Sequence, residues 1–327
     1  MTAGEEADAF ADAPDPGAGA AAADVLGASQ GARRPLLAWL YTSLWPIRRR
    51  LAAPTRADGR AVHGGPWARD DFGFNGWHQW FANRGYAVLS VNFRGSTGFG
   101  KAFLNAANGE WGGAMQNDIT DAVAWAVSQG IADPKKVAIF GSGYGGYAAI
   151  AGLAFTPGTY ACGVAFGGPT NLVNLLEKMP PYWTAMRDIF LKRVGDPAMP
   201  DGRARLMEAS PAAHVDAIGR PLLMAQGAND PVTSEADTRE FVRTLKERGA
   251  PITFVRYPDE SGGLSRQANM LSFHAVTEAF LGKCLGGRVE PFGSDLTNSS
   301  LEIVEGGADI PGLVAAMAAL YAPPKKK

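Results

Sequence analysis

The chain has 327 residues, 46% of them hydrophobic, 10% aromatic and 19% charged, a balance that suits one large or two small globular domains. Its 31 Lys and Arg stand against 32 Asp and Glu, a formal net charge of −1, so no overall field draws it to nucleic acid or to an anionic membrane. No apolar run approaches the ~18 residues of a membrane-crossing helix, and the acidic opening MTAGEEADAF lacks the basic end of a signal peptide. A cytoplasmic protein with neither nucleic-acid nor membrane partners is expected. Two cysteines, Cys162 and Cys284, are too few for a disulfide framework and read as reduced core thiols.

Residues 1–32 are rich in Ala, Gly, Asp and Pro and poor in large apolar side chains, so a disordered segment is expected there. The lead-in segment 33–62 holds an apolar, aromatic stretch at 35–45 able to form a strand. Arg48, Arg49, Arg50, Arg56 and Arg60 follow and read as a solvated loop rather than a phosphate-binding patch. From residue 63 to 287 strands and helices alternate. Helices are predicted at 77–83, 118–128, 145–155, 235–247 and 268–284, and strands at 86–93, 137–140, 162–166, 222–226 and 252–257. Apolar strands separated by helices imply a mostly parallel central sheet flanked by helices. The pattern loosens at 169–210, either an insertion beside the mouth of a site or a surface excursion, and 288–327 reads as a tail with one short helix.

The stretch that carries chemistry is Val137-Ala-Ile-Phe-Gly-Ser-Gly-Tyr-Gly-Gly-Tyr147. A buried strand entering a Gly-rich turn and then a small-residue helix is the setting of a nucleophile elbow, G-x-S-x-G, which lifts a serine above the sheet. Gly141, Gly143 and Gly145 take its first, third and fifth places, leaving glycine where the nucleophile belongs. Centring the motif on Ser142 instead would put the bulky Phe140 and Tyr144 where the turn needs small residues. The elbow backbone is strained by ~1–3 kcal/mol, and glycine relieves that strain.

Further landmarks are His63-Gly-Gly-Pro66, Asn92-Phe-Arg-Gly-Ser-Thr-Gly-Phe-Gly-Lys101, Ser210-Pro211, Gly227-Ala-Asn-Asp-Pro231 and Tyr257-Pro-Asp-Glu260. With the elbow, and in this order, they make the chain resemble the catalytic domain of the prolyl oligopeptidase family of serine peptidases. The resemblance implies an α/β-hydrolase fold, here without a β-propeller domain, for which residues 1–62 are too few. It also implies a triad whose acid falls on Asp230, whose nucleophile position is Gly143 and whose base position is Gly262. Backbone donors to an oxyanion fall on Gly65 and Tyr144. Neither a cofactor nor a metal is implied. Residues 55–62 cannot form the buried strand that leads into the HGGP loop, so the sheet lacks a member unless 35–45 supplies it.

In such a triad the serine attacks, the histidine moves its proton and the acid orients the imidazole. Losing serine or histidine costs about 10^6 in turnover, whereas oxyanion donors alone retain ~10^3 to 10^4 over water. His63, His78, His214 and His274 all read as structural, and Asp230 reads as a loop-capping carboxylate. Three functions follow as expectations: an impaired peptidase-like protein that binds peptides or small acyl compounds, an active serine peptidase or esterase working through another nucleophile such as Ser142, or a non-catalytic interaction protein. The oligomeric state is left open.

Overall fold

The structure is a computed structural model that describes residues 65–320 apart from 72 and 181, together with the backbone of 24–26 and 34–39. The expected disorder of most of 1–32, the arginine run of 48–60, His63 and the lysine-rich end lie outside the described residues.

Eight strands form one sheet. They are β1 (Asp24–Leu26), β2 (Arg34–Trp39), β3 (Ala87–Ser90), β4 (Ala132–Ser142), β5 (Cys162–Phe166), β6 (Leu222–Gly227), β7 (Ile252–Tyr257) and β8 (Glu302–Glu305), in the order β1-β3-β2-β4-β5-β6-β7-β8. The two edge strands, β1 on β3 and β8 on β7, run antiparallel; every other pairing is parallel. The stretch at 35–45 does supply the missing strand: β2 lies between β3 and β4, with Leu36 opposite both Ala87 and Val137. Two expectations need correcting. Residues 24–26, placed in the disordered segment, pair with Leu26 opposite Val88, and the segment read as a tail contributes β8 as well as its helix.

The helices are α1 (Gly76–Asn83), α2 (Gly100–Asn105), α3 (Ala114–Ser128), α4 (Tyr144–Phe155), α5 (Leu172–Glu177), α6 (Thr184–Arg193), α7 (Pro200–Glu208), α8 (Glu235–Glu247), α9 (Gln267–Leu285) and α10 (Leu313–Leu320). Because strand side chains alternate between faces, successive residues enter two different cores. Leu89, Val137, Ile139, Leu222, Met224 and Phe254 pack with α3, α4 and α8, while Val88, Phe140, Val164, Leu223, Val255 and Tyr257 pack with α1 and α9. Both faces being covered, the strands read as unbroken apolar runs.

The landmark residues earn their places as fasteners of the loops at the carboxyl ends of the strands. Arg94, just after β3, donates from Nε and Nη2 to Asp118 on α3 at 2.8 and 2.6 Å, and its backbone N–H adds a third bond to the same carboxylate. Ser210 is buried, accepts the Leu172 N–H and donates to the Leu206 carbonyl, joining the start of α5 to the end of α7. The loose region 169–210 therefore consists of three helices, of which α6 exposes every residue from Thr184 to Ile189 and buries Phe190.

The thiol expectation is overturned. Cys162 and Cys284 form a disulfide across 122 residues of sequence, which removes one support for a cytoplasmic location. It fastens the first residue of β5 to the last turn of α9, the helix that follows the Gly262 loop. Closing so long a loop restricts the unfolded chain, and reduction should lower stability by about 2–4 kcal/mol. Denaturant unfolding with and without a thiol reductant checks this: the midpoint should fall under reduction in the natural chain and should not move in a Cys162→Ala/Cys284→Ala variant.

Candidate active site

The elbow is built by close approach of backbones. A Cβ on Gly141 would sit 2.3 Å from the backbone of Gly145, and one on Gly146 would lie 2.8 Å from the Phe166 carbonyl oxygen. Only hydrogen fits at those places, so α4 leaves β4 at a sharp angle and beds against β5. At the apex Gly143 has φ 58° and ψ −118°, and its N–H donates to the Phe166 carbonyl at 2.9 Å. A Cβ there would meet nothing within 4 Å. The turn thus presents its apex to open space, as a nucleophile elbow does, with no side chain on it.

Asp230 stands in the loop after β6. Its Oδ1 accepts the backbone N–H groups of Val232 and Thr233 at 2.8 and 3.0 Å, while the Thr233 hydroxyl donates to the Gly167 carbonyl at 2.6 Å. These bonds lock the acid loop to the end of β5, one residue beyond the carbonyl that holds Gly143. Burial pushes the Asp230 carboxyl above its ordinary value, and the hydrogen bonds from Thr233 and Val232 only partly oppose the rise. Gly262, in the exposed turn after β7, faces this carboxylate: a Cβ on it would lie 3.5 Å from Oδ1 and 3.7 Å from Oδ2. Asp230 and Gly262 are therefore brought together, and Gly143 is tied to them through Phe166 and Gly167.

The Gly262 turn is held by Glu260, a residue quoted in the sequence pattern but given no role there. Its buried carboxylate accepts the N–H and hydroxyl of Ser265, the N–H of Arg266 and the amide of Asn269, all between 2.7 and 2.9 Å. Burial alone would raise its pKa, but these bonds outweigh it and hold the group below its ordinary value of 4.5. Sequence alone could not assign the clamp, because its donors converge only when the turn folds.

The two expected oxyanion donors lie on separate loops. Tyr144 opens α4, so its N–H has no acceptor within the helix; its ring packs against Phe93 and Trp111, with centroids 5.2 and 4.6 Å away. Gly65 is half-buried and precedes a turn closed by the Ala68 N–H on the Pro66 carbonyl, and the Ala68 carbonyl in turn accepts the Thr97 N–H. Trp67, in the same loop, packs edge-on against Phe190, which meets Trp111, so an aromatic row joins the two loops. Ser142 offers a different picture. Its Oγ is buried and has no hydrogen-bond partner among the described residues, so nothing there could take its proton.

The described histidines are occupied elsewhere. The His274 Nδ1–H donates to the Met270 carbonyl at 2.6 Å, with its ring stacked 3.8 Å from that of Trp77. His214 Nε2 lies 2.7 Å from the Glu208 carbonyl oxygen and donates to it. His78 Nε2 is 3.0 Å from the Ser90 hydroxyl, the one imidazole–hydroxyl pair among the described residues. Both partners are buried, Ser90 lies inside β3, and burial pushes the imidazole down to about 4. That pair offers no opening to an acyl substrate.

The Prolyl oligopeptidase family profile matches residues 72–288. The chain belongs to that family. Dipeptidyl aminopeptidase BIII of Pseudoxanthomonas mexicana is 53% identical over 256 residues, covering 78% of this chain and 37% of the relative. Dipeptidyl peptidase family member 6 of Caenorhabditis elegans is 47% identical over 252 residues, covering 76% and 34%. Among solved structures, a puromycin-hydrolyzing peptidase of Mycobacterium tuberculosis superposes with a TM-score of 0.69 at 26% identity, over 83% of this chain and 38% of that one. The chain thus spans little more than a third of the length of these relatives.

The Glu260 clamp gives a signed pH dependence. A carboxylate held below its ordinary value stabilises the fold fully above that value and loses the contribution as pH falls through its folded pKa. Glu260→Gln should remove about 2 kcal/mol at neutral pH and flatten the fall of the unfolding midpoint as pH drops below the ordinary value of 4.5. A natural-chain midpoint that rises on acidification through this range would contradict the assignment.

Proposed function

We propose that this chain is a prolyl oligopeptidase family protein that has lost acyl-enzyme chemistry and retains a cleft for peptides or small acyl compounds. The observation that carries the reading is Gly262 facing Asp230 at Cβ distances of 3.5 to 3.7 Å while Gly143 occupies the apex of an open elbow. The places from which a base and a nucleophile would act are present in shape and empty of functional groups. With no hydroxyl to attack and no imidazole to carry its proton, neither step of a serine peptidase cycle can begin. The acid that remains has nothing to orient.

Support for a retained cleft comes from what flanks the site. Between the loops that follow β5 and β6 lies a small hollow with room for about one water molecule, lined among others by Pro169, Asn174, Leu175, Lys178 and Thr233. It shares Thr233 with the acid loop. It admits one small polar group of a ligand, and a large apolar ligand does not fit it. The dipeptidyl peptidase names of the relatives favour short peptides as the ligand class.

Two measurements test the reading. A fluorophosphonate probe should leave the natural chain unlabelled, and chromogenic dipeptidyl and acylaminoacyl substrates should not turn over; labelling abolished by Ser142→Ala would reverse the conclusion. The double change Gly143→Ser and Gly262→His should restore hydrolysis at least ~10^2-fold above either single change, the scale of a positioned general base. A double variant that stays folded, and is no faster than Gly143→Ser alone, would show that position 262 is not where a base belongs.

A further inference from the structure

Beside the oxyanion loop stands a guanidinium that is fixed in place by neutral groups alone. Arg193 closes α6 and is half-buried. Its Nη1 donates to the side-chain carbonyls of Asn105 and Asn108 at 3.2 and 3.1 Å, and its backbone carbonyl accepts the Gly109 N–H at 2.7 Å. Its guanidinium carbon lies 5.9 Å from the centre of the Trp67 ring. Trp67 follows Gly65 by two residues and connects through Phe190 and Trp111 to Tyr144 at the start of α4. Among the described residues no carboxylate forms an ion pair with Arg193. The next cation along the same turn is Arg205, whose Nη1 would lie 3.7 Å from a Cβ on Gly109 and which likewise has no ion pair among the described residues. The positive charge at this rim is reinforced rather than balanced.

We propose that Arg193 anchors a carboxylate of a bound peptide, supplied by an acidic side chain or by a free C-terminus. The proposal deepens, and rests on, the reading that the cleft takes peptides. A guanidinium carries N–H donors on all three of its nitrogens. Those on Nη1 are committed to the two asparagines, which leaves the side-on edge of Nε and Nη2, a fork whose parallel hydrogens match the two oxygens of a carboxylate. Amide oxygens hold the guanidinium without cancelling its charge, and the Trp67 ring supports it. Much of its rotamer freedom is already lost before a ligand arrives, so less is lost on binding. An arginine that only pinned α6 to the 105–109 turn would need no more than Nη1 and the backbone.

The experiment titrates the full chain with acetyl-Ala-Glu-Ala-amide, in which the carboxylate is a side chain, with its glutamine counterpart, and with acetyl-Ala-Ala-Ala, in which the carboxylate is terminal. Binding is followed at the Arg193 Nε–H and the Trp67 indole N–H resonances, and sodium acetate, added separately, probes the fork without the cleft. At least one carboxylate peptide should bind about fivefold tighter than the glutamine peptide, the scale of one half-exposed bidentate pair, and the tighter of the two identifies the source. Arg193→Gln should abolish the difference and leave the affinity for the glutamine peptide unchanged, whereas Arg193→Lys should keep only part of it, because an ammonium lacks the fork. Equal binding of all three peptides, or a preference that survives in Arg193→Gln, overturns the proposal while peptide binding stands. Saturable acetate shifts in a chain that binds none of the peptides would sink the reading of the cleft and keep the carboxylate site; a chain that answers neither acetate nor peptides sinks both.

Discussion

The hydrogen bond from the Gly143 N–H to the Phe166 carbonyl is the point on which the site turns. It can form only because β4 ends in a turn tight enough to bring α4 back over the sheet, and that turn exists only because Gly141 and Gly146 carry no side chains to collide. The same bond orders the end of β5. Gly167, the next residue, leaves space for Asp230: a Cβ on it would approach Oδ2 to 3.2 Å. Its carbonyl accepts the Thr233 hydroxyl of the acid loop. One backbone contact thus fixes the elbow and, through two further residues, the carboxylate that faces Gly262.

This chain of contacts holds the shape of the site without a side chain at position 143 or 262. The elements that shape the site are backbone bonds, glycine approaches and clamps such as Arg94 on Asp118 and Glu260 on Ser265, Arg266 and Asn269. None of them needs a hydroxyl at 143 or an imidazole at 262. Reactive groups in a site contribute little to packing and sit where the fold leaves room, so their removal does not disturb the frame. The fold of the family and the presence of its catalytic groups are separate properties, and only the first is carried by the core.

Much of this organisation is readable along the chain. The strands at 162–166 and 252–257 and the helix at 235–247 show plain apolar periodicity, and their boundaries agree with the structure. The helix at 118–128 begins four residues earlier in the structure, at Ala114, because the Glu110 carboxylate accepts the Ala114 N–H and supports an added first turn. The strand at 137–140 runs on to Ser142, since the ladder with β5 continues after the apolar pattern has given way to glycine. Pairings distant in sequence are harder to read. Nothing near Cys162 or Cys284 announces their bridge, which depends on α9 crossing back over β5, and the three residues of β1 are too few for a periodic signal. The Glu260 clamp escaped for the same reason: its donors are spread over a turn whose path no local pattern fixes.

The two glycines differ in what they do to stability. At Gly143 the backbone lies at φ 58°, where an L-residue carries strain of ~1–3 kcal/mol, so glycine there relaxes the native state. At Gly262 no positive φ is required, and a side chain would meet only Asp230, at ordinary contact distance. Glycine there brings no relief of strain and adds freedom to the unfolded chain, a loss of roughly 0.5–1 kcal/mol. The two contributions are opposite in sign and similar in size, so glycine at both positions changes the stability of the fold little.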